Sequence, residues 1–118
     1  MPKALPELDV SAAICCAPVG AGAMDESAAL EVALRLKALA DPTRVRLMSL
    51  LLSADEGEAC GCDLAPAVGV TDATVSHHLG QLFKAGLVTR ERRGMNVYYR
   101  PDREALSALT RIIDPACC

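Results

Sequence analysis

The sequence has 118 residues, with 52% hydrophobic residues and 15 acidic against 12 basic side chains, which is enough for one domain with its own core. Its only aromatic residues are two tyrosines and one phenylalanine, so the core must be aliphatic, which favours packed helices over a β-sandwich. The longest uncharged run, residues 10–24, is too short to span a membrane and makes a poor secretion signal. We therefore expect a cytoplasmic protein with no membrane partner, whose six cysteines are reduced thiols or metal ligands.

The charge is unevenly distributed along the chain. Residues 1–70 carry five basic and ten acidic side chains, whereas residues 71–103 carry six basic and three acidic ones. The negative total therefore does not exclude a nucleic-acid partner, because the basic surplus lies in one segment. The alternative is that this segment is only a solvated charged face.

Residues 1–24 are predicted to be a flexible N-terminal arm. They contain three prolines and two glycines and lack helical periodicity. The arm carries the adjacent pair Cys15 and Cys16.

The remaining residues, 25–118, are predicted to form one structured domain. It begins with an amphipathic helix that ends at Ala40. Asp41 and Pro42 suit the cap and first position of a second, leucine-rich helix. An acidic loop over residues 54–61 then leads to a short helix.

The second half of this domain begins with that short helix, residues 62–68, which Gly69 ends. The next helix begins at Thr71 or Asp72 and has an apolar stripe at spacings of four and three. Two strands, residues 87–93 and 97–100, are joined by a short turn and form a hairpin. A last amphipathic helix follows and ends near Asp114.

Together these elements predict a mainly α (α+β) fold, a winged helix-turn-helix with about five helices and a two-stranded β-hairpin wing. The major groove of DNA admits one helix, and arginines on a hairpin can bind phosphates. The candidate DNA-binding residues are Thr74, Ser76, His77, Gln81, Lys84, Arg90, Arg92 and Arg93. His78 is expected to be a half-buried packing residue instead.

Three stretches of the chain make the prediction more specific. "LKALADPTRVRLMSLL" at residues 36–51, "TVSHHLGQLFKAGLV" at 74–88 and "RRGMNVYYR" at 92–100 resemble, in this order and spacing, the ArsR/SmtB family of bacterial metal-sensing repressors. The resemblance implies a non-enzymatic homodimer that binds an inverted-repeat operator and leaves it when a metal ion or metalloid binds. It also implies that the helices at both ends of the domain form the dimer interface.

The cysteines are the candidate metal ligands. Cys60 and Cys62, followed by Asp63 and Leu64, resemble the Cys-x-Cys-Asp-Leu box of the arsenic and cadmium/lead branches of this family. In those branches the arm commonly carries further thiolates, which implies Cys15 and Cys16 as ligands here. By likeness to the cadmium branch, we expect the arm of one protomer to reach the box of its partner.

The alternative for the box cysteines is that they are small buried hydrophobic residues. This is disfavoured, since a polar, acidic loop has no apolar site for them to fill. The terminal pair, Cys117 and Cys118, is either a further ligand pair or a frayed tail.

Thiolates select soft ions, so the effector is predicted to be As(III) or Sb(III), with Cd(II) or Pb(II) close behind and Zn(II) as a further alternative. The zinc site of the family's other branch is not expected, because the last helix lacks its Asp and His pairs. A thiol redox switch acting through the same cysteines is a rival interpretation. A thiol oxidoreductase is less favoured, because the chain has no Cys-x-x-Cys motif and no phosphate-binding loop.

Overall fold

The computed structural model describes residues 22–115. The fold consists of five helices and a three-stranded antiparallel sheet. The helices are α1 (Glu26–Leu39), α2 (Pro42–Ser53), α3 (Gly61–Val68), α4 (Asp72–Lys84) and α5 (Arg103–Ile113). The strands are β1 (Ala59–Cys60), β2 (Val88–Arg93) and β3 (Asn96–Pro101), in the sheet order β1-β3-β2. This confirms the predicted winged helix-turn-helix.

The helices begin where side chains can cap them. The carboxylates of Asp25, Asp41 and Asp102 accept hydrogen bonds from the backbone N–H three residues on, at the first turns of α1, α2 and α5. The hydroxyl of Thr71 does the same for α4. Each bond satisfies a backbone donor that has no partner within its helix.

The core is aliphatic, as the composition predicts. Its most buried side chains include Leu47 and Leu51 of α2, Leu79 and Leu82 of α4, and Leu87 before the wing. Because α4 supplies part of this core, its apolar stripe fixes which of its faces remains in solvent.

The wing differs from the prediction by one strand. The hairpin of β2 and β3 forms as expected, with Arg93 paired to Asn96 at its turn. The loop before α3 adds β1, in which Ala59 pairs with Tyr99 and Cys60 with Tyr98. A two-residue strand has too few residues to show alternation, which is why the sequence pattern did not reveal it.

The predicted arm and the C-terminal cysteine pair lie almost entirely outside the described residues. Cys15, Cys16, Cys117 and Cys118 are therefore not placed by the structure. Across residues 22–115, no helix is both long and apolar enough to cross a membrane.

Candidate nucleic-acid interface and thiol site

The exposed face of α4 carries the side chains predicted to read DNA. Val75, Leu79 and Leu82 are buried on one side of the helix. Of the predicted reading residues, Thr74, Ser76 and His77 are exposed, as is Lys84, while Gln81 is half-buried. The predicted face is therefore available to a groove of DNA, with short polar groups near its N-terminus and a cation near its C-terminus.

The turn between α3 and α4 orients this face. Gly69 ends α3 in the left-handed conformation, with φ of 73°, which a residue with a Cβ adopts only with strain. Thr71 then caps α4, and its hydroxyl lies 2.9 Å from that of Thr74. The reading face thus begins at a well-defined helix end.

His78 is half-buried, as predicted, and also has a polar partner. Its Nδ1 accepts a hydrogen bond of 3.1 Å from Nε of Arg44 and lies 3.9 Å from a carboxylate oxygen of Asp41. These contacts connect α4 to the start of α2. His78 therefore supports the helix from behind instead of presenting its ring to DNA.

The wing arginines, which the sequence analysis grouped together, are divided between the two faces of β2. Side chains alternate along a strand, so Arg90 and Arg92 share the face of buried Val88, whereas Arg93 is on the opposite face. The Arg90 guanidinium lies 4.0 Å from the centre of the Phe83 ring of α4. Arg92 is exposed and, within residues 22–115, has no hydrogen-bonding or ionic partner.

Arg93 is held by carboxylates. It pairs with Glu91 on its own strand and, through both terminal nitrogens, with Glu58, where one of the two bonds measures 2.9 Å. Glu58 also accepts a 2.7 Å hydrogen bond from Arg100 of β3, and its side chain is only 12% exposed. Glu58 thus ties the wing to the loop that precedes β1.

The two arginines change the acidity of this carboxyl group. Hydrogen bonds from Arg93 and then Arg100 lower the pKa of Glu58 from 4.5 to about 2. The same pairing raises the pKa of Arg93. Both groups are therefore fully charged at neutral pH.

The box cysteines lie in two different environments. Cys62 is exposed, but Cys60 is only 2% exposed on β1, so the expectation that both lie in a polar loop without an apolar site is wrong for Cys60. The physical reason is that Cys60 lies in β1, opposite Tyr98 in the sheet, and not in a solvated loop. Cys60 is also the N-cap of α3, and its sulfur accepts a 3.1 Å hydrogen bond from the N–H of Cys62. A helix N-terminus stabilises a thiolate, which is the form that binds metals.

The structure joins Cys60 and Cys62 by a disulfide, whereas the sequence analysis expected reduced thiols or metal ligands. Their Cα atoms lie 5.1 Å apart, within the range that a disulfide can bridge. Both sulfurs therefore converge on one point at the start of α3. The same convergence would allow the reduced pair to hold one soft ion.

A cavity of about 210 Å³ adjoins this pair. Its walls include Cys60 and Cys62, Asp72 and Ser76 of α4, and Met95 at the turn of the wing. Sequence reasoning had no signal for this juxtaposition, because it depends on how α3, α4 and the hairpin pack. An ion on the two sulfurs would lie beside α4 and the wing turn, the elements predicted to bind DNA.

Two sulfurs do not complete a metal site. Within the part of the chain that the structure describes, no three His, Cys, Asp or Glu side chains are grouped so that they could hold a metal ion. Thiophilic ions accept three or four thiolates, so further ligands must come from elsewhere. Cys15 and Cys16 are the candidates already named.

Comparison with known proteins adds to this geometry. Residues 41–90 match the model of the family described as "Bacterial regulatory protein, arsR family". The "Putative arsenical resistance operon repressor ArsR2" of Halobacterium salinarum is 41% identical over 101 residues, which cover 85% of this chain and 81% of that protein. Several other curated relatives match over about half of their own length.

Solved structures show the same fold. The antimony-specific transcriptional repressor AntR superimposes with a TM-score of 0.62 at 36% identity, covering 75% of this chain and 79% of that one. A homodimeric winged helix-turn-helix DNA-binding domain from Mycobacterium bovis gives a TM-score of 0.59 at 35% identity, covering 77% and 81%. The fold of the described residues is thus similar to the folds of these DNA-binding regulators.

The depressed pKa of Glu58 predicts a pH dependence of stability. A carboxyl group with a lowered pKa in the folded state stabilises the fold above its unfolded pKa, near 4.5, and this contribution is lost as pH falls through about 2. Glu58→Gln should therefore be less stable than wild type at pH 7, and the difference should shrink between pH 4.5 and 2. Urea unfolding followed by circular dichroism across this range measures it.

The matched control is Glu56→Gln, which removes an exposed carboxylate from the same loop. Its stability should stay close to that of wild type at every pH. A difference between Glu58→Gln and wild type that does not change with pH would contradict the assigned ion pairs.

Proposed function

Because this chain belongs to the ArsR family of bacterial regulatory proteins, we propose that it is a repressor that releases its operator when a thiophilic metal or metalloid binds its cysteines. The family consists of DNA-binding transcriptional regulators, which confirms the expectation that the chain is not an enzyme. The observation that carries the proposal is the placement of Cys60 and Cys62 against α4 and the wing turn.

In this proposal α4 reads the operator. Thr74, Ser76, His77 and Gln81 contact base edges in the major groove, and Lys84 binds a phosphate near the other end of the helix. Their position on the solvent-facing side of α4, where all but the half-buried Gln81 are exposed, supports these roles.

The wing supplies further phosphate contacts, and its arginines are not equivalent. Arg92, exposed and without an ionic partner among the described residues, is the main phosphate ligand. Arg90 contributes beside Phe83. Arg93 also belongs to the predicted DNA-binding set, but Glu58 and Glu91 already neutralise it, so its contribution to DNA affinity is the smaller one.

The repressor acts as a homodimer on an inverted repeat. The first and last helices form the interface, where Leu36 of α1 and Ile113 of α5 expose 39% and 49% of their surface. An apolar groove of about 560 Å³, lined by residues of α1, α2 and α5 such as Leu39, Val45 and Leu106, lies in the same region. The homodimeric relative from Mycobacterium bovis supports this assembly.

The effector is As(III) or Sb(III), with Cd(II), Pb(II) and Zn(II) as alternatives. Two relatives, one named as a putative arsenical resistance operon repressor and one as an antimony-specific repressor, favour the metalloids. A pyramidal metalloid takes three sulfurs and Cd(II) takes four, so Cys60 and Cys62 need further thiolates, for which Cys15 and Cys16 of the arm are the first candidates. The protein acts in the cytoplasm, where the thiols are reduced and able to bind.

A thiol redox switch is the second candidate function, and the disulfide between Cys60 and Cys62 is the observation in its favour. In that case a peroxide or a small disulfide takes two electrons from the two thiols, and both thiol protons are lost as the bond between the sulfurs forms. Operator release under anaerobic conditions by metal alone favours the metal sensor. Release by oxidant alone favours the switch.

The division of the wing arginines gives a prediction for DNA binding. Arg92→Ala should weaken binding to operator and random DNA alike, and should reduce the slope of log affinity against log salt by about one, as expected for one lost phosphate contact. Arg93→Ala is the matched control and should change both quantities less. Fluorescence anisotropy at several salt concentrations measures them, and a larger effect of Arg93→Ala would overturn the division.

If the first and last helices form the dimer interface, a charge introduced there should dissociate the dimer. Ile113→Glu places a carboxylate on an exposed apolar position of α5 and should dissociate the dimer at micromolar concentration, because burying an unpaired charge is costly. Ser107→Glu, on the exposed side of the same helix, should leave it intact. Sedimentation velocity distinguishes the two states, and a wild-type monomer with and without DNA would refute the assembly.

If the cysteines bind the effector, replacing one of them should abolish operator release without affecting operator binding. Cys62→Ser should bind the operator like wild type, because Cys62 is exposed and outside the reading face, but should not release it when effector is added. We expect the same of Cys15→Ser and Cys16→Ser. The experiment is an anaerobic anisotropy titration with As(III), Sb(III), Cd(II), Pb(II) and Zn(II), which also identifies the effector.

The control for this titration is the double variant Cys117→Ser/Cys118→Ser, which should remain inducible. If a variant lacking both Cys15 and Cys16 released the operator like wild type when effector is added, the role of the arm would be refuted. It would make the terminal pair the partner of Cys60 and Cys62.

A further inference from the structure

Glu58 lies between the thiol pair and the wing, and the proposed function gives it no role. It precedes Cys60 by two residues, a distance of at most about 7 Å along an extended chain. Its carboxylate contacts Arg93 of β2 and Arg100 of β3, on the side of the hairpin away from Val88. One short segment therefore connects the site of the effector to both strands of the wing.

The thiol end of this segment is held close to Glu58 by the chain. Cys60 is buried, is paired with Tyr98 in the sheet and caps α3. An ion bound to the Cys60 sulfur therefore pulls on a residue that belongs to β1 and caps α3. Because only Ala59 separates Cys60 from Glu58, a displacement of the Cys60 backbone reaches Glu58 with little chain to absorb it.

The wing end is sensitive to small displacements. The bonds from Glu58 to Arg93 and Arg100 measure 2.9 and 2.7 Å, and such bonds lose most of their strength once the distance exceeds about 3.5 Å. A shift of about 1 Å at Glu58 therefore weakens these hydrogen bonds, and a larger shift separates the ion pairs. The arginines are 43% and 60% exposed, so water can solvate them once they are released.

We propose that Glu58 is the positioning residue that transmits occupation of the Cys60–Cys62 site to the wing. With the site empty, Glu58 holds Arg93 and Arg100 and fixes the hairpin in its DNA-binding arrangement. With the site occupied, β1 moves, the two ion pairs open and the wing loses that arrangement. This inference rests on the proposed function, since it assumes that an ion binds the thiol pair.

The test compares the coupling between effector and operator in wild type and Glu58→Gln. Coupling is measured as the ratio of operator dissociation constants with and without arsenite, under anaerobic reducing conditions. This ratio cancels any change that the substitution causes in DNA affinity itself or in overall stability. Thiolate–arsenic absorbance in the ultraviolet reports independently whether arsenite is bound, and Cd(II) replaces arsenite if only Cd(II) releases wild type.

Glu58→Gln should bind arsenite with the same stoichiometry as wild type but show a coupling ratio at least threefold smaller. Glu56→Gln, with the same charge change in the same loop, should keep the wild-type ratio. Arg100→Gln removes one of the two contacts from the other side and should give an intermediate ratio. It also keeps the test decisive if Glu58→Gln does not fold.

The role of Glu58 is overturned if Glu58→Gln and Arg100→Gln bind arsenite and keep the wild-type coupling ratio while arsenite releases the operator from wild type. That result leaves the proposed function intact. If none of As(III), Sb(III), Cd(II), Pb(II) and Zn(II) releases the operator from wild type, the proposed metal sensing is overturned, and this inference with it.

Discussion

The pairing of two residues of β1 with β3 is the interaction on which the functional arrangement depends. It places Cys60 opposite Tyr98 in the sheet, where Cys60 is buried, and sets the start of α3 directly after the strand. The thiol pair therefore lies at a junction of sheet and helix, within reach of α4 and of the wing turn. Without this pairing, residues 54–60 would be an ordinary exposed loop with no fixed relation to the DNA-binding elements.

The wing shows how one strand can serve two purposes. Alternation places Arg92 on the side of the core-facing residues and Arg93 on the other, so neighbouring arginines have different surroundings. Arg93 stabilises the fold by binding Glu58, whereas Arg92 remains available to an external anion. A cluster of basic residues in a sequence is therefore not equivalent to a basic surface. Whether a basic side chain is available to bind DNA can be decided only after its carboxylate partners are known.

The basic surplus of residues 71–103 is compatible with an acidic chain because attraction to DNA is local. At physiological salt, charges more than about 8 Å from a phosphate are strongly screened. The acidic residues of the first half of the chain include Glu58, which faces arginines, and Asp25 and Asp41, which cap helices. Part of the negative charge thus has a structural partner within the fold.

The sequence by itself determined the helices, the hairpin and the exposed polar face of α4, because these depend on local patterns. Capping residues, the stripe of Val75, Leu79 and Leu82, and the turn at Gly69 each act over a few residues. Only the tertiary structure decided the burial of Cys60, the division of Arg92 from Arg93, and the position of Glu58 between the thiols and the wing. These features join residues as much as 42 positions apart, as Glu58 and Arg100 are, and no local pattern records such a contact.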